Sequence, residues 1–86
     1  MKTIKIYEVG DTVSVTPTKA YALCTTNEGG GTQSCPVGDA VVLTVKKTWV
    51  DDEIGRRYIG ADSNGKEFYF GDFYSEVELI EGVNNG

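Results

Sequence analysis

Histidine is absent from the sequence. Its absence removes the usual general base, so Ser-His-Asp and Cys-His nucleophile pairs cannot form within one chain. The commonest metal ligand goes with it. Cysteine is scarce: Cys24 and Cys35 are the two present, whereas a tetrahedral zinc site needs four ligands. Positive charge is also short, with 8 Lys and Arg against 13 Asp and Glu and a formal net charge of -5. That balance disfavours general nucleic-acid binding, which draws its affinity from neutralised phosphates. It disfavours docking on anionic membranes as well, and it suits a basic partner or plain solubility. No apolar run is long enough to span a bilayer as a helix. The expected protein is therefore not an enzyme, carries no cofactor or metal, and makes no membrane contact.

What is present fits one small domain of 86 residues. A chain of this size buries only about 60–65% of the surface its unfolded form exposes. It has little room for both a core and a deep ligand cavity, and drug-sized cavities run to roughly 300–1,000 Å3. Shallow surface sites are expected instead. The 11 glycines suit a chain that turns often between short strands. Lys2 and Lys5 fall where a secretion signal would need an apolar stretch, so the expected compartment is the cytoplasm.

Alternation points to strands throughout. In residues 2–7, Ile4 and Ile6 share one face while Thr3, Lys5 and Tyr7 share the other, the period of a half-buried strand. Gly10-Asp11 makes a turn, residues 12–16 alternate again, and Pro17 ends the run. Residues 18–38 are long, polar and rich in glycine around Gly29-Gly30-Gly31, with a short strand possible at Ala20-Tyr21-Ala22-Leu23. Loops beyond about 12–15 residues are uncommon in compact domains and are often functional or disordered. Residues 40–45 form the most β-prone run, residues 49–55 read as a hairpin loop, and residues 58–61 as the returning strand. Asn64-Gly65 signals a tight turn. Residues 67–70 and 77–80 complete the set, with a single domain over residues 1–81 and a frayed tail at 82–86. Five or six short strands at this spacing indicate an all-β barrel or sandwich.

Two blocks carry a family resemblance. Val9-Gly10-Asp11-Thr12-Val13-Ser14-Val15 is similar to the opening strand of small bacterial and phage SH3-like modules. Gly38-Asp39-Ala40-Val41-Val42, Tyr58-Ile59-Gly60-Ala61, residues 64–70 and Val77-Glu78-Leu79-Ile80 follow in the order of that family's hairpins and closing strand. The resemblance implies a small SH3-like barrel of five to six short antiparallel strands with a long first loop at residues 18–38. It does not extend to a polyproline groove. Arg57-Tyr58 stands where that groove has an aromatic pair, and Gly71-Asp72-Phe73-Tyr74 stands where it has a proline.

Several constellations offer chemistry. Cys24 and Cys35 flank the glycine-rich stretch; a disulfide there would contribute on the order of 3 kcal/mol, while a reducing compartment makes free thiols the default. Asp51, Asp52 and Glu53 are adjacent carboxylates that read as a solvated hairpin tip. Pairing residues 41–47 with 56–61 brings Lys46 and Lys47 near Arg56 and Arg57. The resulting basic patch is opposed by the cost of facing like charges and offset by the acidic tip. Tyr21, Trp49, Tyr69 and Tyr74 are the aromatics expected to be at least partly exposed, and Trp and Tyr are enriched among interface hot spots.

The leading expectation is a non-enzymatic protein-binding module, monomeric or a small homo-oligomer. The resemblance implies a phage- or mobile-element-type accessory protein that modulates a host protein. Its candidate contacts are Tyr21, Trp49, Asp51, Asp52, Glu53, Tyr69 and Tyr74. The alternatives are a nucleic-acid or nucleotide binder through Lys46, Lys47, Arg56 and Arg57, an acidic decoy of a DNA-binding protein, and a structural subunit of a larger assembly.

Overall fold

A computed structural model of the chain describes residues 6–26 and 29–82. Among these residues there is no helix. Seven strands run β1 (Thr12–Pro17), β2 (Leu23–Thr26), β3 (Thr32–Ser34), β4 (Val41–Asp51), β5 (Gly55–Ala61), β6 (Glu67–Gly71) and β7 (Ser75–Glu81). They form one open sheet in the order β3-β2-β6-β5-β4-β1-β7, and every pairing is antiparallel.

The number of strands exceeds the expected five or six because the long polar stretch at 18–38 contains two of its own. β2 pairs with β3 through Cys24↔Ser34 and Thr25↔Gln33, and β2 docks on β6 through Leu23↔Phe70. The expected strand at residues 2–7 lies largely outside the described residues. Of its two described members, Tyr7 is 5% exposed and Ile6 58%. Tyr7 faces inward because both ends of its side chain are satisfied there. Its ring meets Tyr58 edge-on at 6.0 Å, and its hydroxyl donates to the Val77 carbonyl at 3.0 Å.

One face of the sheet holds the core. Val13, Val15, Leu23, Leu43, Val45, Tyr58 and Phe70 are fully buried and form one cluster with Tyr7 and Phe68. Among the described residues no second layer covers them. In a flat sheet β1 and β2 would sit four strand spacings apart, roughly 19 Å. Their Cα atoms instead approach within 8 Å, so the sheet coils until its apolar face meets itself. Tyr58 occupies the middle, stacked on Phe70 at 5.1 Å, with its hydroxyl oxygen accepting the Tyr7 backbone N–H at 3.2 Å. Tight curvature leaves no space at Gly60: a Cβ there would stand 2.9 Å from the Leu43 Cβ.

The β4–β5 hairpin is longer than the sequence pattern implies. β4 continues through Trp49 to Asp51, so Trp49 lies in a strand and only residues 52–54 form the tip. The register shifts between Val45 and Lys47; Lys46 is the extra residue of a β-bulge, which sharpens local twist. Asp51 Oδ1 accepts the N–H groups of Glu53 and Ile54 at 2.9 and 3.2 Å, and Gly55 takes φ 78° to close the turn. At the β5–β6 connection Asp62 Oδ1 similarly accepts the N–H groups of Asn64 and Lys66. There Gly65 takes the positive φ.

Two outcomes follow from this packing. Gly60→Ala is expected to lower stability by about 1–3 kcal/mol through overpacking against Leu43, measured as a reduced denaturant midpoint; an unchanged midpoint would show that the coil is looser than described. Burial raises the pKa of both Tyr58 and Tyr7 above 10.0, with Asp72 adding to the effect on each. The stability these neutral phenols contribute is complete below about pH 10 and is lost as pH rises through their folded values. The Tyr7→Phe/Tyr58→Phe double variant should lose about 1–3 kcal/mol at neutral pH yet decline less steeply than wild type above pH 10. Parallel curves would contradict this.

Candidate functional site

The 18–22 turn, the β4–β5 tip and the 72–74 turn meet at one end of the sheet and enclose a surface groove of about 270 Å3. Its walls include Tyr21, Glu53, Ile54, Arg57, Phe73 and Tyr74. The volume lies just below the range for drug-sized ligands and suits one or two side chains of a partner. A larger hollow of about 450 Å3 lies over the 40–44 and 61–63 segments. It has no aromatic or basic wall residue, and thus fewer means of recognition.

Backbone conformation distinguishes the groove. Among the described residues the two non-glycine positions with positive φ are Tyr21 (67°) and Tyr74 (61°). The left-handed region costs an L-residue with a Cβ roughly 1–2 kcal/mol, and such strain clusters at functional sites. Both strained residues are tyrosines, both are more than half exposed, and both line this groove.

Each is held by its surroundings. The Tyr21 N–H donates to Ser34 Oγ at 2.8 Å, and the Cys24 thiol donates to the Tyr21 carbonyl at 3.2 Å. Cys24 and Ser34 are themselves cross-strand partners, so the β2–β3 ladder grips both backbone groups of Tyr21. On the other wall, the Thr18 N–H donates to the Tyr74 carbonyl at 2.7 Å, and the Lys19 ammonium sits 4.2 Å from the Tyr74 ring centroid. Phe73 lies beside Tyr74, with ring centroids 6.1 Å apart.

The expected contact residues divide into three places. Tyr21, Glu53 and Tyr74 come together in the groove. Trp49 and Tyr69 lie on the sheet face opposite the core, along with Lys47, whose ammonium is 5.7 Å from the Trp49 ring centroid. Asp51 is committed to holding its own turn, and Asp52 is exposed beside it.

The four basic residues do not assemble as expected. Lys47 faces Ile59, Arg57 faces Trp49 and Arg56 faces Val50, while Lys46 bulges out of register. Arg56 therefore points to the side opposite Arg57 and donates to Thr48 Oγ1 at 3.0 Å. Arg57 passes over Gly71, where a Cβ would meet its Nη1 at 2.5 Å and its Cδ at 3.0 Å, and enters the groove wall.

Cys24 and Cys35 are free thiols. Strand alternation turns Cys24 to one face, opposite Tyr69 and Ser34, while Cys35 packs against the core. Burial raises both pKa values; Arg57 partly counters this at Cys24, and Cys24 adds to it at Cys35. Raised thiol pKa values make weak nucleophiles. Among the described residues no group of three potential ligands is placed to hold a metal ion, and no helix is long and apolar enough to cross a membrane.

Ile54 and Phe73 were not among the expected contacts. Their signals were an isolated apolar residue inside an acidic tip and two adjacent aromatics in a very short turn, where strand alternation cannot bury both. No family model, curated protein or solved structure matches the chain.

Tyr74→Gly is expected to leave the melting temperature nearly unchanged, since relieved strain offsets the added freedom of the unfolded chain. Tyr74→Val should lose about 1–2 kcal/mol, because a β-branched residue is a genuine outlier at this φ. Equal losses in the two variants, read by circular dichroism melts, would contradict a strained Tyr74.

Proposed function

We propose that the chain is a non-enzymatic protein-binding module that docks its partner in the groove between Tyr21 and Tyr74. The observation that carries this reading is the convergence of the two left-handed tyrosines, far apart in sequence, on one groove. Strain persists only where surrounding structure over-determines it. Here it sets two mostly exposed rings against Ile54 and Phe73, the kind of rigid aromatic surface that dominates protein interfaces. Trp49 extends the surface beyond Arg57 on the neighbouring strand. The SH3-like character of the coiled sheet, and an accessory role in modulating a host protein, belong to the same proposal and rest on the order of the sequence blocks.

The test is a capture experiment from bacterial lysate, treated with nuclease, using wild type and the Tyr21→Gly/Tyr74→Gly variant as parallel baits. Wild type should retain a stoichiometric protein that the folded variant loses. Recovery that disappears with nuclease, or equal recovery by both baits, overturns the reading.

A further inference from the structure

Arg57 brings to the groove a guanidinium whose hydrogen-bonding capacity the described residues do not use. Arg57 is half-buried, with its guanidinium lying across Gly71 toward the groove. Among the described residues that guanidinium makes no hydrogen bond or ion pair, whereas its neighbour Arg56 spends a nitrogen on Thr48. A partly desolvated guanidinium gains most from a carboxylate, which it can hold through two parallel N–H···O bonds. Beside it stand the rings of Tyr21, Phe73 and Tyr74 and the side chain of Ile54.

We propose that Arg57 makes this groove a receptor for an extended peptide carrying an Asp or Glu next to a bulky apolar side chain; this rests on the groove being the docking surface. The carboxylate engages Arg57, and the apolar neighbour lies between the tyrosines. An internal side chain is the source, because capture of a chain-terminal carboxylate uses a nest of backbone N–H groups, and the groove walls described above are side chains. A peptide fits better than a nucleic acid, because a single groove guanidinium on a chain of net charge -5 offers little phosphate neutralisation. Glu53 shares the groove wall. It is the built-in competitor for Arg57 and repels the incoming carboxylate.

The experiment uses random dodecapeptides displayed as fusions through their C-termini, so that every carboxylate offered is a side chain. Wild-type bait should enrich Asp or Glu beside aromatic or aliphatic residues. Against a selected peptide, Arg57→Gln should weaken binding roughly tenfold to a hundredfold, the loss of a hydrogen bond to a charged group. Arg57→Lys should recover part of it, retaining charge without the planar fork. Glu53→Gln should tighten it. Circular dichroism confirms that each variant is folded, and the Lys variant keeps the test open if Gln disturbs packing over Gly71. Enrichment without acidic bias, or acidic bias that persists in Arg57→Gln, overturns the role of Arg57 and leaves the groove standing. No enrichment over the Tyr21→Gly/Tyr74→Gly bait overturns the groove itself and the ligand class with it.

Discussion

The described residues form a single β-sheet with no second layer among them, so the sheet must cover its own apolar face, and the other features described follow from how that is done. Laid flat, the sheet would present Leu43, Val45, Tyr58 and Phe70 to water; coiled, it buries them completely. Coiling demands close approach on the inside of the curve, which Gly60 permits by lacking a side chain against Leu43. It demands local excess twist, which the bulge at Lys46 supplies. It also needs a filler broad enough to reach several strands at once. Tyr58 performs that task, with Phe70 stacked on it and Tyr7 against its edge. Burying a phenol in this position is tolerable because its oxygen accepts the Tyr7 N–H, which would otherwise be an unmatched donor in the interior.

Coiling leaves the ends of the curled sheet to be finished by turns, and at one end those turns carry aromatic rings outward. A turn that needed positive φ could use glycine, as the chain does at Gly10, Gly38, Gly55 and Gly65. Tyrosine stands in that conformation twice, at Tyr21 and Tyr74, at a cost of roughly 1–2 kcal/mol each. Such a cost is a substantial fraction of the stability of a small domain, about 0.05–0.15 kcal/mol per residue. The packing does not require the rings there, since both are more than half exposed. The hydrogen bond that Tyr21 donates to Ser34 and those donated by Cys24 and Thr18 fix the backbone, and the fixed backbone fixes the groove.

Period-two patterning made much of the architecture readable in advance. Strands at 12–17 and 67–71 follow alternation directly, because each has one face in the core; β7 sets only the partly buried Val77 against the core and leaves Leu79 and Ile80 exposed. The pairing of β2 with β3 was hidden, because both strands are short and mostly polar, and the apolar signal reduces to Leu23. The inward turn of Tyr7 was hidden for a different reason. Alternation assigns faces by hydrophobicity, and Ile6 is the more hydrophobic neighbour, but only tyrosine can both fill space against Tyr58 and reach the Val77 carbonyl. Of the groove, the sequence showed that Tyr21 and Tyr74 were candidates. Their convergence depends on three turns meeting, which no local pattern encodes.

The bulge explains why the basic residues resisted a simple reading. Continued without interruption, the Val45↔Gly60 register would pair Lys47 with Tyr58 and Trp49 with Arg56, pushing an ammonium toward the core. One extra residue at Lys46 changes the parity of everything after it. Thr48 takes the inward place opposite Tyr58, where its hydroxyl donates to the Arg57 carbonyl at 3.1 Å and accepts from Arg56. Lys47 and Trp49 turn outward, and Trp49 comes to lie opposite Arg57. Strand alternation already sets the two adjacent arginines on opposite faces, and the bulge separates them by use: Arg56 donates to Thr48 within the hairpin, and Arg57 lies beside an aromatic groove with no hydrogen-bond acceptor among the described residues.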